Sequence, residues 1–110
     1  MNENMKMSAI NFDKRYEGQI VAGQKTTTVR LGQKPFKIGI AAFLFDKRAS
    51  KLLVEITEVR QLRFGSLSND DARDDGFNSL ESLRVALSEI YGRQIHCADV
   101  ITQVRFEVTE

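Results

Sequence analysis

The chain has no tryptophan and only one cysteine, one proline and one histidine among 110 residues. A lone cysteine makes no internal disulfide, and a free thiol fits a reducing compartment. Cys97 and His96 are the only residues of their kinds, too few for a structural zinc site. Long apolar runs are also missing. The longest, Ile40 to Phe45, falls far short of the ~18 residues a membrane helix needs. Met1 to Met7 carries Glu3 and Lys6 without an apolar stretch, so no secretory signal is expected and the cytoplasm is the expected location. A Gly-rich phosphate loop, G-x-S-x-G and H-E-x-x-H are absent too.

What is present is ordinary for a globular protein: 42% apolar and 28% charged residues, which excludes wholesale disorder and collagen-like or coiled-coil structure. The length predicts one domain over 1–110, large enough for one core without disulfides or metal. Charge is uneven along the chain. Residues 14–63 carry a balance of +7 and residues 64–110 one of −5, for a net charge of +1. The basic half suggests an anionic ligand such as RNA or a nucleotide; equally, two oppositely charged lobes attract one another within the fold. A net charge of +1 argues against a broad duplex-binding surface, which needs many phosphate neutralisations.

Periodicity gives the elements. Ile10 to Phe12 reads as a short strand, and Asp13 as the N-cap of a helix through about Ala22 that Gly23 stops. Thr26 to Leu31 alternates, with Thr27, Val29 and Leu31 on one face and Thr26, Thr28 and Arg30 on the other. Gly32 to Gly39 is a loop. Ile40 to Phe45, apolar on both faces, predicts a central strand. Leu52 to Phe64 predicts a bent strand whose apolar phase slips near Glu58, as a β-bulge would cause. Ser68 starts a short acidic helix over Asn69 to Asp75 that Gly76 stops. Asn78 with Glu81 fits a capping box for a helix carrying Leu80, Leu83, Leu87 and Ile90 on its core stripe. Val100 to Val108 is the cleanest strand. The sum is an α+β domain with a mostly antiparallel, barrel-like sheet.

Two polar groupings stand out. Gly23, Lys25, Thr26, Thr28 and Arg30 place a polar strand face after a helix stop, a good place to receive a ligand at a sheet end. Threonines in strands nonetheless commonly serve β-propensity alone. Asp70 with Asp74 and Asp71 with Asp75 are like-charge pairs four apart, each costing about 0.2–0.5 kcal/mol. Asp74 and Asp75 also sit at the unfavourable end of the helix dipole, so a cation from the basic half is expected to compensate them. Carboxylates at this spacing are usually solvated, and no metal site is expected. Adjacent His96 and Cys97 point to opposite faces of an extended chain; a buried cysteine and a surface histidine are expected.

The run Gly23-Gln-Lys25-Thr-Thr-Thr28-Val-Arg30 resembles the G-x-K-x-x-x-x-R signature of the ASCH domain, a relative of the PUA-like RNA-binding barrels. The likeness continues through Ile10-Asn-Phe12, Phe36-Lys-Ile-Gly39, Ala72 to Phe77, Ile90-Tyr91 and the closing strand, nearly the whole chain. Within that family the chain is most similar to small bacterial N4-acetylcytidine amidohydrolases. The resemblance implies a PUA-like barrel with short helices packed at its side. It also implies a catalytic set of Lys25, Thr28 and Asp75, with Thr26 and Arg30 holding the substrate. No cofactor, metal or obligate protein partner is implied; the partner is a modified nucleoside or single-stranded RNA. Asp75 stands where those enzymes have Glu, which shortens the side chain by one methylene. If the shorter acid is a handicap, Asp75→Glu raises activity; if the cleft is built around Asp, it lowers it. A non-catalytic RNA- or nucleoside-binding module is the alternative, with a ribonuclease behind it. On an extended strand Lys25 and Thr28 lie ~10 Å apart and on opposite faces, so Lys25 is expected in the turn before the strand.

Overall fold

A computed structural model describes residues 8–46 and 50–109. Five strands form one sheet in the order β1-β3-β4-β5-β2. They are β1 (Ser8–Phe12), β2 (Thr27–Leu31), β3 (Gly39–Phe45), β4 (Ser50–Arg63) and β5 (Val100–Val108). β1 pairs with β3 in parallel, and every other pair is antiparallel. The long strand β4 has one residue too many at Thr57, where its register with β5 slips between Ile56 and Glu58. That bulge increases the local twist and curls the sheet into a half-barrel. β3 is central, between β1 and β4, as its apolar run predicts, although Ile40 faces solvent.

The curl separates two apolar clusters. Inside the half-barrel, Ile10, Phe43, Phe45, Val54, Ile56, Val104 and Phe106 pack together with Ile20 of helix α1 (Glu17–Val21). Phe43 meets Phe12 at 4.5 Å and Phe106 edge-on at 4.7 Å between ring centroids. Outside it, Val29, Phe64, Leu67, Ile95 and Ile101 pack beneath helices α2 (Asn69–Asp74) and α3 (Leu80–Tyr91), which contribute Ala72, Leu83 and Leu87. The edge strands β1 and β2 do not pair with each other. Arg30 bridges them instead, donating from Nη2 to the backbone oxygen of Asn11 at 2.9 Å.

Three local expectations need correction. Asp13 caps its helix as expected, but the first turn is a 3-10 helix over Lys14–Tyr16 that only then becomes α1. Helix α3 is capped one residue later than the pattern suggests, by Ser79 with Ser82, not by Asn78 with Glu81. Asn69 of α2 supplies a further cap, its Oδ1 accepting from the Leu80 N–H at 2.9 Å, and this cross-helix contact helps set where α3 begins. Cys97 is exposed, not buried. It lies in a surface turn closed by Asp99, which accepts from the His96 N–H at 2.7 Å.

Candidate functional site

The site is built where the loop before β2 meets the end of α2. Gly76 ends that helix at φ +92°, a conformation that favours glycine. The Phe77 N–H then bonds the Ala72 oxygen and the Gly76 N–H bonds the Arg73 oxygen, the paired closure of a Schellman motif. This leaves the Asp75 carbonyl and carboxylate facing the same way. Lys25 receives both: Nζ is 3.0 Å from the Asp75 backbone oxygen and 3.2 Å from Oδ2. Its ammonium thus satisfies a carbonyl that the helix end leaves open and also neutralises the adjacent carboxylate. Backbone bonds lock the junction, with the Thr26 N–H donating to the Asp74 oxygen at 2.7 Å and the Lys25 N–H to the Gln19 oxygen at 3.1 Å.

Both members of the ion pair are almost wholly removed from solvent, with side chains 5% and 4% exposed. Burial pushes the Asp75 carboxyl up to about 6, even though Lys25, Thr27 and Arg30 all pull it down. Burial pulls the Lys25 ammonium below its ordinary value, against the opposing pull of Asp75. The two shifts are directed towards each other, which narrows the cost of passing a proton from nitrogen to oxygen. The Lys25 nitrogen also lies 5.3 Å from the Tyr16 ring centroid and 5.9 Å from that of Phe77, within cation–π range.

Thr28 and Arg30 occupy one face of β2. Arg30 Nε donates to Thr28 Oγ1 at 3.1 Å, and its guanidinium carbon lies 4.7 Å over the Phe12 ring. The hydroxyl proton of Thr28 therefore remains available for donation to another group. Burial lowers the Arg30 pKa, opposed by Tyr91 and Asp75.

These residues surround a cavity of about 390 Å³. Lys25, Thr28, Arg30 and Asp75 form its polar wall; Leu83, Ala86, Leu87 and Ile90 of α3 form an apolar one. The volume lies near the small end of the range for small-molecule sites. Thr26 is not on its lining: its hydroxyl donates to the Asp74 backbone oxygen at 3.4 Å. One contributor lay outside the sequence reading. Thr27, assigned there to the opposite face, is fully buried and donates from Oγ1 to Asp75 Oδ1 at 3.1 Å. A buried threonine hydroxyl needs a partner, and that requirement was the available clue. Among the described residues no group of three or more His, Cys, Asp or Glu is placed to hold a metal ion.

No protein-family model matches the sequence. Solved structures do match. The crystal structure of an ASCH domain from Lactobacillus crispatus JV V101 agrees with TM-score 0.72 at 17% identity, over 92% of this chain and 79% of that one. This is the ASCH-domain fold. Protein EF3133 from Enterococcus faecalis V583, of the DUF984 family, matches with TM-score 0.71 at 20% identity, over 96% of this chain and 82% of its own. Hypothetical protein PH0355 matches with TM-score 0.72 at 18% identity, over 94% and 99%. The α+β fold with a PUA-like, mostly antiparallel barrel-type sheet that the resemblance implies is therefore the architecture found, curled here into a half-barrel.

Proposed function

We propose that the protein hydrolyses the amide of N4-acetylcytidine or a related N-acylated pyrimidine nucleoside. Thr28 is the nucleophile in this reading, and Lys25 with Asp75 moves the protons. One observation carries it: an ammonium and a carboxylate, both desolvated, line a small-molecule-sized cavity together with a threonine hydroxyl. A desolvated lysine paired with a carboxyl of raised pKa is the arrangement that acid–base work at neutral pH requires.

The steps balance on these residues. Transfer of a proton from Lys25 Nζ to Asp75 Oδ2 frees the nitrogen lone pair. Nζ then takes the Thr28 proton as Oγ1 attacks the acyl carbonyl. The tetrahedral intermediate collapses as the ammonium returns a proton to N4 of the pyrimidine, breaking the C–N bond and leaving acyl-Thr28. Water, activated by the same amine, releases the carboxylic acid and restores the hydroxyl. The Arg30 cation beside Oγ1 favours the developing negative charge. The apolar wall from α3 receives the acyl methyl group and the pyrimidine face.

The test is cytidine release from N4-acetylcytidine, followed by chromatography. Wild type releases cytidine, and Thr28→Ala lowers the rate by about 10³-fold or more. Equal rates in the two proteins, or none in either, reject the proposal for this substrate. A second reading has its own support: the resting ammonium is held by Asp75 as a fixed hydrogen-bond donor among the rings of Tyr16 and Phe77. That suits a module that grips a nucleoside or single-stranded RNA without cleaving it. Salt-sensitive binding of single-stranded RNA, without turnover of the nucleoside, is the result that selects it.

A further inference from the structure

We infer that Thr27 is a positioning residue that holds the Asp75 carboxylate in the orientation Lys25 uses, and that it matches the site to Asp over Glu. The inference rests on the proposed acid–base role of Asp75 and goes beyond it by naming what fixes that acid. The carboxylate has two oxygens with separate duties. Oδ2 meets Lys25 Nζ at 3.2 Å, and Oδ1 accepts from Thr27 Oγ1 at 3.1 Å. With one oxygen anchored from β2 and the other from the preceding loop, the carboxylate plane cannot turn without losing a buried partner.

Packing supplies the second half of the inference. Thr27 is 0% exposed and Asp75 3% exposed. A longer acid at position 75 carries its carboxylate one methylene further, towards the cavity that Asp75 lines and away from the Thr27 and Lys25 donors that fix the shorter acid. Thr27 thus donates the bond that makes the shorter acid sufficient.

The charged and titratable groups that bear on Asp75 are Lys25 from the loop and Arg30 from β2. Asp13, Arg15 and Tyr16 line the same cavity from the N-terminal segment, and Tyr91 from α3. None of these is altered by substituting Thr27.

The test compares the full-length wild type with Thr27→Val, which keeps the branched shape and removes the hydroxyl, and Thr27→Ser, which keeps the hydroxyl. The midpoint of Asp75 is read by carbon-13 NMR of its carboxyl, with no dependence on turnover. Loss of a bond to the ionised form raises that midpoint by roughly one pH unit in Thr27→Val, while Thr27→Ser holds it near the wild type. An unchanged midpoint in Thr27→Val, or the same rise in both variants, overturns the positioning role. In a second arm, Asp75→Glu lowers the thermal midpoint because both bonds to the shorter acid are lost. An Asp75→Glu protein as stable as wild type overturns the matching to Asp. Should wild type release no cytidine, the hydrolase reading fails, whereas the NMR and thermal results still decide this one.

Discussion

Asp74 and Asp75 are neighbours at the end of one helix, and each forms an ion pair with one cation, yet they inhabit different media. Asp74 pairs with Arg105 at 3.0 Å with side chains 43% and 35% exposed, whereas Asp75 pairs with Lys25 at nearly the same distance and almost no exposure. Water screens the first pair and lets its side chains move. The second has given up its hydration and is held by two further bonds, from Lys25 to the Asp75 carbonyl and from Thr27 to its carboxylate. Distance and charge type do not separate a structural surface contact from a candidate reaction centre. Desolvation does, because it draws the proton affinities of the buried pair together.

The largest predicted contrast comes from deleting one cation at a time. Lys25→Ala leaves a buried carboxylate unpaired and costs about 3–5 kcal/mol, a large share of the stability of a domain this size. Arg105→Ala costs less than about 1 kcal/mol. Urea denaturation measures both, and equal losses would erase the distinction between the pairs. Replacing the buried pair by apolar residues, Lys25→Met with Asp75→Leu, sharpens it: part of the loss in Lys25→Ala is recovered, because no unpaired charge is left, while cytidine release disappears. Retained turnover in that double variant would remove the pair from the chemistry.

A smaller effect is the pH dependence that burial of Asp75 gives to stability. Asp75 keeps its proton in the fold up to about 6, whereas the unfolded chain releases it near 3.8. Its contribution to stability is therefore present below the lower value and is lost as pH rises through the higher one. The stability of wild type relative to Asp75→Asn should decline between roughly pH 4 and 6. A rise over that window would contradict the burial account. The smallest effect concerns salt: at about 1 M, where the Debye length is near 3 Å, the modest contribution of Asp74 with Arg105 vanishes and that of Lys25 with Asp75 persists. Double-mutant cycles in low and high salt read this directly.

Much of this site was legible in the sequence because local rules reach that far. The helix stop at Gly76 and the like-charge strain at Asp74 and Asp75 called for cations, and Lys25 from the basic half meets one of them. Arg105, from the acidic half, meets the other. Arg60 with Asp71 at 3.4 Å is another contact between the halves, so part of the charge asymmetry is spent inside the fold. The bulge near Glu58 and the limits of β5 also followed from alternation. Alternation assigns faces, however, not depth. In a curled sheet with helices packed over its edge, Thr27, Thr28 and Val29 are all buried, so the strand face predicted to lie away from the site supplied a partner for Asp75. The apolar cavity wall escaped notice for a similar reason. Ala86 was not on the predicted stripe and Ile90 remains half exposed, yet both border the site. The parallel pairing of β1 with β3 depends on the whole chain path, which no local pattern encodes.

The most direct test of the account is the pH dependence of cytidine release from N4-acetylcytidine. The productive pair is neutral overall, with one transferable proton between Lys25 and Asp75, so the rate should fall on the acid side with a midpoint near 6 as Asp75 becomes protonated. On the alkaline side, loss of the Lys25 proton below the ordinary lysine range exposes the same lone pair, so no second fall is expected there. A rate that stays flat through pH 6, or no release at any pH, would contradict the claim that this buried pair performs proton transfer.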